Sequence, residues 1–208
     1  MSDDPIDKVV NAEAWHEFCE LLKKAGDVVL RDELTTDPFD RAEGLRYLTR
    51  LLRAGLMSFV EHPGPRHPEF RPMPRLVKMG LDNPDNFYLS ASVNPSHSYR
   101  IRGRRGTIHY LSIAAQNQNF AARGRISGGA AHLNDSDLEL GPDGSFEIVA
   151  SQQEQPGNWL RMGPDTSQLL VRQTFLDKAA EEPVEVSIAC LDADGPPAPL
   201  DPARSRAS

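Results

Sequence analysis

Between residues 12 and 30, apolar side chains return every three or four positions. Trp15, Phe18, Leu22, Ala25 and Val29 fall on one stripe of a predicted helix. Asp37 followed by Pro38 predicts a second helix start, a carboxylate to cap the first amides and then a residue with no donor to lose. Leu45, Leu48, Leu52 and Phe59 form its apolar stripe, with Arg46, Arg50 and Arg53 on another side. Those arginines could hold an anion; the alternative is a solvated face. Pro63, Gly64 and Pro65 stop the helix by His62. Two helices joined by a short turn predict a helical hairpin over residues 1–61.

The pattern then breaks. Residues 62–85 carry six prolines and no regular period, so they read as an extended connection, kept docked by Phe70, Met73, Leu76, Val77 and Met79. From Asn86 the period shortens to two. NFYLSASV, SYRIRG, TIHYLSIAA, DLEL, SFEIVAS, SQLLVRQTF and VEVSIACLD are short runs rich in β-branched and aromatic residues, separated by Gly, Pro, Asn and Asp. No helical pattern intervenes. The prediction is an α+β protein: an N-terminal helical hairpin followed, over 86–192, by an antiparallel β-sandwich of jelly-roll type. Residues 193–208 have too few apolar groups to order.

Composition changes this picture little. The chain has 208 residues, 39% hydrophobic and 25% charged, which suits one ordinary folded domain and excludes wholesale disorder. No apolar run approaches the roughly 20 residues needed to cross a bilayer, so no membrane partner is expected. The acidic start, MSDDPIDK, lacks the blocks of a secretion signal. Two cysteines, Cys19 and Cys190, cannot make a four-thiolate zinc site or a disulfide framework, and a cytoplasmic location is the expectation. Cofactor and metal are left unknown. Charge is segregated: −7 over residues 1–40, +9 over 41–125 and −9 over 126–208. The basic middle could draw in an anionic ligand, or simply pack against the acidic ends. No nucleic-acid module accompanies it, so no nucleic-acid partner is expected.

The chemistry concentrates between Ser98 and Ile113. If Gly103 and Gly106 flank a turn, Tyr99 faces Tyr110, Ile101 faces Ile108 and Arg100 faces His109. One face is then core. The other gathers Arg100, Arg102, Thr107 and His109, two guanidinium forks for an anion's oxygens beside an imidazole able to act as acid or base. The alternative is a solvated face paired with acids such as Asp135, Asp137 or Glu139. Arg-Arg is a poor two-residue turn, so the register is soft. Asp82-Asn83-Pro84-Asp85-Asn86 could bind a hard cation, but reads first as an Asx turn. His62 and His67 read as surface histidines. His97, His109 and His132 would form a three-histidine metal site only if the fold brought them together. Gly124, Gly128 and Gly129 follow no phosphate-loop pattern, and no serine elbow, dinucleotide fingerprint or zinc-protease motif is present.

Two stretches carry a resemblance. DNPDNFYLSASVNPSHSYRIRGRRGTIHYLSI has an Asn-Pro-Asp entry to an aromatic strand. Further on come Asp143-Gly144-Ser145 opening a strand, then Asn158-Trp159-Leu160, then a Leu-rich strand with Arg172. Over residues 80–192 the chain resembles the domain of unknown function family 1214, often found with the related family 1254 in bacterial proteins. Arg161 stands where that family usually has Pro. The resemblance implies a jelly-roll sandwich with helical additions and a longer whole protein, but no agreed reaction. Trp159 reads either as a core anchor or as a stacking platform.

The leading expectation is a binding or enzyme-accessory domain for a small, anionic or aromatic organic ligand. Arg100 and Arg102 would hold it, with Asp85, Tyr88 and Trp159 in support. A hydrolase or lyase using His109 as base is the alternative, and a structural or homo-oligomeric role a third.

Overall fold

The structure, a computed structural model, describes residues 4–31, 33, 36–61, 64–73, 77, 83–117, 131–193 and 195–197. The chain is mixed α+β and mostly β, and it divides into two compact units.

The helical unit holds α1 (Pro5–Val10), α2 (Glu13–Val29) and α3 (Pro38–Gly55), with one π turn over Leu56–Val60. Asp37 caps α3 as its sequence predicts, its Oδ1 accepting from the amides of Phe39 (2.9 Å) and Asp40 (3.2 Å). Asp4-Pro5 repeats the same signal and opens α1, a helix not predicted. Helices α2 and α3 meet where Gly44 leaves room for Val29, whose Cγ1 would lie 2.6 Å from any added Cβ. Two predicted stripe residues fall off the packed side. Trp15 and Leu45 are exposed, and Trp15 stacks on Phe18 at 5.7 Å. Gly44 rather than Leu45 marks the contact, while Leu48 and Leu52 of the expected stripe stay half-buried.

The β unit builds two sheets. Strands β1 (Arg71–Pro72), β2 (Asn86–Ser92), β4 (Tyr110–Gln116), β5 (Ala131–Asn134) and β8 (Gln168–Thr174) form the first, in the order β1-β2-β8-β4-β5. Strands β3 (Tyr99–Arg104), β6 (Ser145–Ser151), β7 (Asn158–Arg161) and β9 (Glu185–Cys190) form the second, in the order β7-β6-β3-β9. Period-two alternation sends Tyr99, Ile101, Ile148 and Leu160 of one sheet and Leu111, Ile113, Leu169 and Val171 of the other into a single buried cluster.

Sheet pairing is antiparallel except for β6 and β7, which run parallel. The DLEL run is not a strand: Asn134 and Asp137 cap a single 3-10 turn over Asp135–Asp137, and Leu138 is buried behind it. The hairpin from Ser98 to Ile113 does not exist, because β3 and β4 belong to different sheets. Residues 105–109 instead carry the chain from one sheet to the other. Ile108, Leu111 and Ile113 then join the core shared by the two sheets.

That crossover is docked on residues 182–183. Thr107 donates its amide to the Glu182 carbonyl (3.0 Å) and accepts the Glu182 amide on Oγ1 (2.8 Å). Gly106 has φ +65, and a Cβ there would sit 2.4 Å from the Glu182 carbonyl oxygen. Arg105 braces the same turn, bonding the Ile108 carbonyl (2.8 Å) and pairing with Asp135. Among the described residues, no helix is long and apolar enough to cross a membrane.

Candidate functional site

The polar face expected on β3 exists, with different neighbours. Strand β3 pairs with β6 and β9, so Arg100 stands beside Val149 and Ala189, and Arg102 beside Glu147 and Ser187. Both arginines point away from the core. Their counter-ion is Glu147, rather than Asp135, Asp137 or Glu139. Arg102 Nε donates to Glu147 Oε2 at 2.7 Å, and Arg100 Nε lies 3.2 Å from Oε1 without hydrogen-bond alignment. The Arg102 bond, reinforced by both positive charges, holds the Glu147 carboxyl below its ordinary range. One register step along, Arg104 pairs with Asp143 at 2.9 Å.

The parallel β6–β7 pair brings Trp159 level with Val149. Trp159, Val149, Arg100 and Ala189 therefore form one row across the outer face of the four-stranded sheet, with Glu147, Arg102 and Ser187 in the next row but one along the strands. The core-anchor reading of Trp159 fails: Leu160, its neighbour, is buried, while the indole lies half-buried on the outer face. Its Nε1–H donates to the Ser151 carbonyl (3.3 Å) and Oγ (3.2 Å), which fixes the ring. Asn158 secures the strand, donating to the Glu139 (3.0 Å) and Glu147 (3.1 Å) carbonyls.

The other named residues lie elsewhere. Tyr88 pairs with Arg172 on the outer face of the five-stranded sheet, its ring 5.5 Å from that guanidinium, and its hydroxyl accepts from Asn86. Asp85 belongs to the Asx turn anticipated there: its amide bonds Asn83 Oδ1 at 2.9 Å, and Lys178 sits 3.7 Å from its carboxylate. Asp82, His62 and the glycines at 124, 128 and 129 fall outside the described residues. His109 is exposed on the crossover, and the pairing that would have set it opposite Arg100 is absent. The three histidines do not converge. His132 is exposed on β5 across from Ala114, and His97 lies beside Cys190 and Asp192 instead.

A polar cleft of about 360 Å³ opens between Asn94, Asn117, Asp165 and Thr166, and none of the expected residues lines it. Sequence reading missed Glu147 and the level placement of Trp159. Glu147 was visible only as an alternating outward position in SFEIVAS; the Trp159 row depends on a parallel pairing that no local pattern announces.

No family model matches the chain, and no curated protein does. Among solved structures, the crystal structure of an uncharacterised protein from Burkholderia cenocepacia is 43% identical, with a TM-score of 0.88 over 95% of this chain and 55% of that one. This chain thus spans little more than half of that protein's length and shares its α+β fold. The VPA0106 protein from Vibrio parahaemolyticus matches at 16% identity and a TM-score of 0.40, over 56% of this chain and 35% of that one.

Proposed function

We propose that the β unit is a binding or enzyme-accessory module for a small organic anion, most readily an aromatic carboxylate. One observation carries this: Trp159 and Arg100 share a row, with Arg102 close by, on an outward sheet face. Glu147 engages both guanidiniums through Nε. Among the described residues, the Nη groups of Arg100 and Arg102 make no bond, which leaves two donor forks for a second carboxylate. The indole, held by Ser151, offers an apolar surface for a ring.

Calorimetry with benzoate against acetate tests this reading. Benzoate binds more tightly, and replacing Arg100 and Arg102 together by Ala abolishes the heat. Glu147→Gln raises affinity several-fold by removing a competing negative charge. Equal binding of both acids, or unchanged binding in the double variant, contradicts the proposal.

The interleaving of the chain between the sheets from β2 to β4 supports a jelly-roll-type sandwich, and the Gly44–Val29 contact supports a helical hairpin. Two free cysteines and a bacterial relative favour a cytoplasmic bacterial protein. Assembly through the helices is a second reading, favoured by the exposed Trp15, Leu21, Val28 and Phe39. Light scattering decides it: a discrete oligomer that Phe39→Asp converts to a folded monomer supports assembly, and a monomeric parent chain contradicts it.

A further inference from the structure

At one end of the β unit, three side chains from two segments meet. His97 lies in the loop that leads into β3, Cys190 is the last residue of β9, and Asp192 follows two positions later. A ring nitrogen of His97, the Cys190 sulfur and an Asp192 carboxylate oxygen all lie within 4.8 Å of one another. The imidazole Nδ1 is 3.7 Å from Asp192 Oδ2.

Their placement follows from backbone pairing. Cys190 pairs with Tyr99, so its side chain turns toward the inner face, and the turn that follows β9 carries the exposed Asp192 back beside it. The Leu191 amide bonds the Ser98 carbonyl at 2.8 Å, which ties the two segments together. The loop bearing His97 is itself held. The His97 amide bonds the Asn94 carbonyl (3.0 Å), Ser96 bonds Asn94 Oδ1, and the imidazole meets the buried Tyr99 ring edge-on at 6.5 Å. The Ser98 amide donates to Asp192 Oδ2 at 2.7 Å and orients the carboxylate. Arg66 reaches the main-chain carbonyl of Asp192 rather than its side chain.

We propose that His97, Cys190 and Asp192 form a binding site for a divalent cation of the zinc class. One thiolate, one imidazole and one carboxylate are a donor set that suits a borderline-soft ion and fits hard calcium or magnesium poorly. Tetrahedral zinc with bonds of about 2.0–2.3 Å places its ligand atoms roughly 3.4–3.8 Å apart. The His97–Asp192 separation of 3.7 Å lies within that range, and the 4.8 Å limit on the other separations leaves at most about 1 Å for side-chain rotation to close. Three protein ligands leave a fourth position for water or an exogenous ligand.

Cobalt titration of the chelator-stripped protein tests the site, because a thiolate ligand gives cobalt a charge-transfer band in the near ultraviolet. One equivalent of Co²⁺ produces that band, and Zn²⁺ displaces it. Cys190→Ser abolishes the band while Cys19→Ser retains it. His97→Ala and Asp192→Ala each weaken binding by more than about tenfold, the low end of what even groups supporting a ligand contribute. Circular dichroism checks that Cys190→Ser is folded, and the loop variant His97→Ala carries the test if it is not. No charge-transfer band in the parent protein overturns the proposal. So does a band that survives Cys190→Ser, or cobalt affinity unchanged in His97→Ala.

Discussion

In the β unit Tyr99, Ile101, Leu111, Ile113 and Ile148 are fully buried, whereas in the helical unit only Ala54 and Val77 are buried among the described residues. Exposed large apolar side chains show the reverse. Among the described residues, Leu140, Leu176 and Leu191 are those of the β unit, while the helices expose Val10, Trp15, Leu21, Phe39 and Val60 among others. One region therefore owes its order to a shared core. The other owes it to caps, helix propensity and half-buried contacts such as Val29 against Gly44, together with the Lys8–Glu17 ion pair, and helices of this length gain little without a covered face. Each region carries one tryptophan, Trp15 or Trp159, so a single-tryptophan variant reports on each separately.

The largest expected effect lies in the core. Leu111→Ala lowers the stability of the β unit by about 4 kcal/mol, the cost of a cavity in a well-packed site. Leu45→Ala, at an exposed helical position, changes the helical unit by less than about 0.5 kcal/mol. Denaturant unfolding followed at Trp159 and at Trp15 measures the pair, and equal effects break the contrast. Gly106→Ala comes next, costing the β unit about 3 kcal/mol through its left-handed backbone and the Glu182–Pro183 carbonyls it abuts.

Tyr99 predicts a third difference. Burial, with smaller contributions from Cys190 and Asp192, pushes its phenol up to about 12 from 10.0. The folded state keeps the proton more tightly, so this stabilisation is complete below pH 10 and is lost as pH rises toward 12. The loss is on the order of 2 kcal/mol. Tyr99→Phe flattens that part of the profile at Trp159, and an unchanged slope contradicts the assignment. A helix cap gives a smaller loss still: Asp37→Ala destabilises α3 by about 1 kcal/mol, read as reduced helicity and an earlier transition at Trp15.

Strand existence was legible because period-two alternation is local. NFYLSASV and SFEIVAS became β2 and β6 nearly to the residue. Asp37-Pro38 was equally legible, since a cap depends on its own next three residues. Pairing was not. Whether SYRIRG turns back on TIHYLSIAA or crosses to another sheet depends on the approach of residues 182–183, far along the chain. The outward direction of Arg100 and Arg102 survived that error, because alternation fixes the face whatever the partner strand. Glu147, and the placement of the already named Trp159 level with Arg100, are set by pairing alone and could not be found from the local pattern. The strands β1, β5 and β7 were missed because two to four residues carry too little periodicity to register.

The most direct test uses the two indoles together. In a ¹H–¹⁵N spectrum of the full chain titrated with benzoate, the Trp159 indole and the Arg100 and Arg102 side-chain signals move together along one saturable curve while the Trp15 indole stays still. A shift confined to Trp15, or no shift at Trp159 at saturating benzoate, would contradict it.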